Sequence, residues 1–397
     1  MKTTIATYKK LKMVGFKKPL IFFVAIVITV SCKEVYQPNI VSPTTGYLVV
    51  EGFINSGGGP TTITLTGTTE LVDSVSIAYE HNAQVNIESD NNESFSLEEG
   101  FNGIYTSDSL NLNPLSKYRI KINTQNGKEY VSDFVSVKHT PVIDSISWQR
   151  EYGGVNIYVN THGDQNNTKY YRWSYSETWE FHAAYISYLD YLRDPFTHNV
   201  TSLIGRSIES TNSLYYCWKT QNSSHIILGT SEKLNTDRIY LPIRYIEPNA
   251  EELSVRYYIK LNQYTLSHDA YNFYQKLKKN TEQLGSIFDA QPSELSGNIH
   301  CVSNPEEQAI GFIEVSELQQ KDIFISNQQV TPWGTPPDCN RIIIYNDPDS
   351  IRPYQDSYIP LHGVLFRGLA IVKFDAAPPS CVDCTLRGTN IKPSFWP

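Results

Sequence analysis

Six cysteines and nine histidines hold most of the chemistry open to this chain. Cys32 stands directly after Ser31, at the end of the apolar run Leu20–Val30. A thiol placed there, behind a small residue, is the acceptor for diacylglycerol in lipoprotein processing, and acyl chains at about 0.8 kcal/mol per buried methylene hold a protein firmly on a membrane. Thr29-Val30-Ser31-Cys32 departs from the commonest form of that signal only in having Thr where Leu is usual. The other five, Cys217, Cys301, Cys339, Cys381 and Cys384, are disulfide candidates, the default use of cysteine outside the cytoplasm. An odd number leaves at least one unpaired, and spacing alone does not choose the pairing. Cys381-x-x-Cys384 also has the spacing of a redox dithiol or of half a zinc site. Redox pairs open a helix in a βαβ setting, whereas this one follows Pro379 and leads into a polar tail. A structural zinc site normally adds a second close pair. Structural disulfides are the expected use.

The histidines form no His-x-x-x-His or His-Glu-x-x-His pair. His162-Gly163-Asp164 falls in an expected strand-to-loop turn, where it offers ligands to a cation but where capping is the commoner role. No Gly-x-Ser-x-Gly elbow, phosphate-binding loop or dinucleotide fingerprint occurs, so neither an enzyme reaction nor a cofactor is expected. Acids converging from distant strands on a glycosidase site would leave no mark in the spacing. The densest aromatic stretch runs from Tyr170 to Tyr191. Tyr171, Trp173 and Tyr175 alternate as one face of a strand. That alternation is lost after Trp179, so Trp179, Phe181, Tyr185 and Tyr188 are the candidates for stacking on a sugar ring or anchoring a partner.

The elements that carry these residues begin with an export signal. Residues 1–31 contain six lysines and no acid, followed by an apolar run too short to span a bilayer, which takes roughly 20 residues. Met13 is an alternative start, because Met13 to Lys18 already forms a basic leader. Cleavage before Cys32 moves the formal charge from −8 to −14, six positive charges being lost. A body so acidic is not expected to bind nucleic acid. Residues 32–45, with Pro38 and Pro43, are expected to be a tether.

Beyond the tether the chain is rich in Tyr and Thr, residues suited to pleated half-buried surfaces. Strands are expected at Tyr47–Ile54, Thr62–Thr66, Ala83–Ile87, Ser94–Leu97, Tyr118–Ile122 and Glu129–Phe134, the last two joined by the turn pair Asn126-Gly127. That spacing predicts an immunoglobulin-like β-sandwich over 46–140, with a boundary at Thr140-Pro141. Ile143–Trp148, Val155–Val159, Tyr170–Tyr175, Arg238–Tyr245 and Leu253–Leu261 predict a larger β-sandwich over 141–397. The fold class is therefore mainly β, of immunoglobulin-like or fibronectin-like sandwiches. One amphipathic helix is inserted near 266–285, with Leu266, Ala270, Phe273, Tyr274, Leu277 and Leu284 in helical period, Ser267 at its N-cap and Gly285 at its end.

The segments Leu48–Ile54, Tyr170–Phe181, Gln291–Asn298 with Gly311-Phe312, and Cys381–Cys384 with Lys392–Trp396 together make the chain similar to a family of uncharacterised outer-membrane lipoproteins of Bacteroidota, often encoded beside TonB-dependent receptors. Cys32-Lys33-Glu34 resembles the signal that sends such lipoproteins to the outer face of the cell. The resemblance implies a lipid-anchored outer-membrane protein facing the exterior. It also implies a non-catalytic role as accessory or ligand-capture partner of a TonB-dependent transporter, with a glycan or peptide as ligand. An adhesion or envelope-assembly module without a transporter, and a surface hydrolase, are the alternatives.

Overall fold

The computed structural model describes residues 46–68, 77–163, 169–282, 295, 297–334, 339–366 and 370–397. The export signal, Cys32 and the tether lie outside the described residues, as do Asp164, Leu284, Gly285 and residues 291–294.

Alternating burial builds the first sandwich. In Lys117–Asn123, Tyr118, Ile120 and Ile122 point inward, and in Thr61–Gly67 Thr61, Ile63 and Leu65 do the same. The sheet turns over at Ser94–Glu99, whose first half pairs with Gln84–Ser89 and whose end pairs with Ile104–Ser107. Its two faces enclose one core, in which Tyr105, Tyr118, Ile63 and Ile120 are fully buried. The hairpin Lys117–Asn123/Glu129–Ser132 turns as the Asn126-Gly127 pair predicts, with Gly127 at φ +81°.

The first sandwich does not end where the chain leaves it at Thr140-Pro141. Ile299–Cys301 pairs with Glu129–Ser132, while Ala309–Gly311 and Val315–Ser316 run parallel to Leu48–Asn55. Ile299, Ile313 and Val315 are part of the same core. The boundary expected from sequence leaves out this return. Three- and two-residue strands carry no period of their own, and only pairing across more than 150 residues of sequence reveals them.

The second sandwich packs a three-stranded sheet, in the order Ile143–Glu151, Gly154–His162, Arg238–Ile246, on a sheet in the order Tyr216–Asn222, Tyr170–His182, Arg256–Leu266, Gln319–Ser326. The chain leaves the first sheet after Gly154–His162, returns to it for Arg238–Ile246, and ends in the second with Arg256–Leu266 and Gln319–Ser326. Val155, Ile157 and Val159 meet Tyr171, Trp173, Tyr257 and Ile259 in its core.

Three segments leave this frame. The hairpin Leu189–Arg193/Val200–Gly205 packs on a C-terminal sheet ordered Ile342–Tyr345, Ala370–Ala377, Ile359–Phe366, around Phe374 and Ile344. The expected amphipathic helix spans His268–Glu282, and the Ser267 hydroxyl accepts the Ala270 N–H as its cap. A further helix, Ile208–Tyr215, is capped by Ser207. The sequence gives no apolar stripe for it, and Thr211 is its one buried residue. No helix among the described residues is long and apolar enough to cross a membrane.

Candidate functional site

A cleft of about 660 Å³ opens between the two sandwiches, beneath the helix His268–Glu282. The first sandwich supplies one wall, Val49, Val50, Glu51 and Gly52, with Ile310–Phe312 beside it. These strands approach closely because Gly311 holds φ +153°, and a Cβ there would lie 2.3 Å from the Val50 carbonyl oxygen. The second sandwich supplies Arg172 and Ser174. They point out of its sheet because Tyr171, Trp173 and Tyr175 on the same strand point into its core. The helix supplies the roof, with Phe273, Tyr274 and Leu277 facing down, and the loop Ser223–Ile226 closes one end.

The roof is an aromatic cluster. Phe273 packs edge-on against Tyr274 and tilts against Phe312, with centroids 5.3 Å and 5.7 Å apart. Below it, Phe53 of the first sandwich meets Tyr264 of the second edge-to-face at 4.5 Å, joining the two cores' outer surfaces. The Arg172 guanidinium lies 4.3 Å from the Tyr274 ring centroid and 6.0 Å from that of Tyr264. Among the described residues no carboxylate comes within ion-pair distance of it. Glu51, on the first-sandwich wall, makes no ion pair with it, and Glu282 is engaged elsewhere. Glu282 accepts the Ile226 N–H at 2.6 Å and faces Lys278 and His225 at 3.9 Å each.

One buried carboxylate braces the cleft from behind. Glu314 accepts the Ser267 hydroxyl and, at 3.2 Å, the Ser267 N–H at the helix start, while its own carbonyl accepts the Ile54 N–H of the first sandwich. Its Oε2 is buried and has no hydrogen-bond partner. Burial raises its pKa above 4.5, outweighing the hydrogen bonds from Ser267. A second buried carboxylate, Glu177, sits inside the core of the second sandwich. It accepts the Tyr257 hydroxyl at 2.6 Å and the Arg244 Nε–H at 3.0 Å, and Arg244 reaches on to Glu252. That network is satisfied and faces no cavity.

The sequence candidates fall elsewhere. Trp179 and Phe181, candidates for contact with a ligand or partner, are 3 % and 0 % exposed, because the strand from Tyr170 runs on to His182 and places them in the sandwich core. The alternation breaks at Thr178, where three successive residues are buried, and not because the strand ends. Tyr185 is partly buried and donates to the Cys339 carbonyl, a structural bond. Tyr188 is 54 % exposed, away from the cleft. Cys217 bonds to Cys384 and Cys339 to Cys381, leaving Cys301 as a buried thiol. The two cysteines of Cys381-x-x-Cys384 thus serve different bridges, which removes both the redox dithiol and the half zinc site. His162 Nδ1 lies 2.7 Å from Asp144, and Asp164 is outside the described residues. No three of His, Cys, Asp and Glu among the described residues are grouped to hold a metal. Sequence reasoning did not single out Arg172. Its one signal is a cation at an outward position between the inward aromatics Tyr171 and Trp173.

Three of the segments on which the family resemblance rests meet at this cleft: Leu48–Ile54, Tyr170–Phe181 and Gly311-Phe312. No curated protein matches the chain. Among solved structures, a chain titled as manganese lipoxygenase of Gaeumannomyces graminis and partial zonadhesin of Komagataella pastoris matches at 10 % identity over 57 % of this chain and 90 % of that one. Its TM-score of 0.16 carries no argument. A family described as a domain of unknown function, DUF4249, matches residues 33–322, which takes in both sandwiches and the cleft but not the cysteine-bearing tail. The chain belongs to that DUF4249 family.

Proposed function

We propose that this protein is a non-catalytic, lipid-anchored lipoprotein of the outer membrane that captures a small ligand in the cleft between its sandwiches, as the accessory of a TonB-dependent transporter. The observation that carries ligand capture is the cleft itself. Its volume lies in the range of small-molecule sites, and its lining mixes an aromatic and aliphatic surface with polar and charged side chains. Its polar groups favour binding over chemistry. Glu282 and His225 face one another, and the Ser223 hydroxyl accepts the Tyr175 N–H, so no hydrogen-bonded nucleophile–base pair lines the cleft among the described residues. The anchor rests on Cys32 behind its apolar run, and the transporter on the resemblance to outer-membrane lipoproteins encoded beside such receptors.

Affinity purification of the tagged native protein from outer membranes in gentle detergent tests the transporter role. A barrel of the TonB-dependent class recovered in stoichiometric amount is the expected result. Recovery of the protein alone would remove the accessory role and favour an adhesion or envelope-assembly module.

A further inference from the structure

We propose that the cleft selects ligands carrying a carboxylate on an aromatic or apolar body, with Arg172 as the group that recognises the anion. This rests on the reading of the cleft as a ligand site and names the class of ligand it takes.

A guanidinium at the wall of a partly apolar cleft is normally matched by a carboxylate of the same protein, because an unpaired charge there loses solvation without return. The acids of this chain outnumber its basic residues by 41 to 33, so a partner would be easy to supply. Arg172 has none among the described residues. Its guanidinium lies over the Tyr274 ring, with Tyr264 farther off, contacts that satisfy the charge without using its N–H donors. A carboxylate fits those donors with two parallel hydrogen bonds. Next to it, Phe273, Leu277, Ile226 and Phe312 offer an apolar surface for the rest of the molecule. Of the two acids in the lining, Glu282 is turned to Lys278, His225 and the Ile226 N–H, and Glu51 on the opposite wall makes no ion pair with Arg172.

Isothermal titration of the full-length protein in a mild non-ionic detergent with 2-naphthoate, and with 2-naphthamide as its neutral counterpart, tests this. The same titration on variants in the same detergent removes the contribution of the micelle. Naphthoate should bind the wild type more tightly than naphthamide. Arg172→Ala should weaken naphthoate by about tenfold or more while leaving naphthamide unchanged, and Arg172→Lys should lose part of the preference because a point charge cannot pair with both oxygens. Thr281→Trp, which fills the cleft from the helix and leaves Arg172 in place, should abolish both and guards against misfolding of the arginine variants. Equal binding of the two probes, blocked by Thr281→Trp, would overturn the anion preference and leave ligand capture standing. Binding of neither probe, or binding that Thr281→Trp does not alter, would overturn both.

Discussion

Glu314 and Arg172 are both charged residues at the junction of the sandwiches, and they behave in opposite ways. Arg172 keeps its charge against aromatic faces at an open wall. Glu314 is buried with one oxygen unsatisfied, so its neutral form is favoured and its pKa rises. The folded state holds this proton more tightly than the unfolded state, so in the interval from about 4.5 up to the raised value the native protein binds more protons. Stability from this group is present below that interval and is lost as pH rises through it. Glu314→Gln keeps an acceptor for Ser267 without the charge. The variant should show a flatter stability–pH curve above 4.5 and melt higher than wild type at neutral pH, by thermal unfolding across a pH series. An unchanged slope would mean that the carboxylate finds compensation not visible in its hydrogen bonds. Residue-scale features of this kind are the ones the sequence hides. Nothing local marks Glu314 as buried, and Trp179 and Phe181 were misplaced because burial on both faces of a strand imitates the loss of a period.

Elements were more legible. The strands with two-residue alternation and the helix with Ser267 at its cap stand where the pattern puts them, because local burial and local hydrogen bonding write themselves into the period. The bridges were legible as a class but not as a pairing. Cys217 lies on the edge strand Tyr216–Asn222 and Cys384 in the tail, 167 residues on, and sequence spacing is silent about that proximity. The bridge ties down a tail that folds back across the five-stranded sheet. There Trp396 packs with Trp218 and Tyr258 and donates its indole N–H to Glu180 at 3.0 Å. Proteolytic mapping of the unreduced protein should yield linked peptides for Cys217–Cys384 and Cys339–Cys381. A Cys381–Cys384 linkage would contradict the fold. The double variant Cys217→Ser/Cys384→Ser should lose about 2–5 kcal/mol in denaturant unfolding, since the loop it releases is long.

At the scale of the whole molecule, the two sandwiches share one chain in an order that sequence reading alone does not disclose. Nine of the twelve strands of the first lie before Thr140, yet its core is completed by residues 299–316, which are reached only after most of the second sandwich has been built. Ile313 and Val315 are fully buried in that core and Ile299 nearly so. At about 1.5–3 kcal/mol for each buried aliphatic side chain, these three contribute an amount comparable to the whole stability of an ordinary domain, about 5–15 kcal/mol. Without them the backbone edges of Leu48–Asn55 and Glu129–Ser132 are also left unpaired. A fragment of residues 46–140 should therefore lack a cooperative urea transition and give poorly dispersed amide resonances. Adding a peptide of residues 297–318 should restore dispersion, with the peptide's Ile313 and Val315 resonances shifting on binding. A fragment that unfolds cooperatively by itself, with wild-type dispersion, would show that the return strands only decorate the first sandwich. The cleft wall formed by Ile310–Phe312 would then be an addition to a finished domain. If the fragment needs the peptide, that wall cannot be removed without unfolding the sandwich, and the geometry facing Arg172 is fixed by the fold itself.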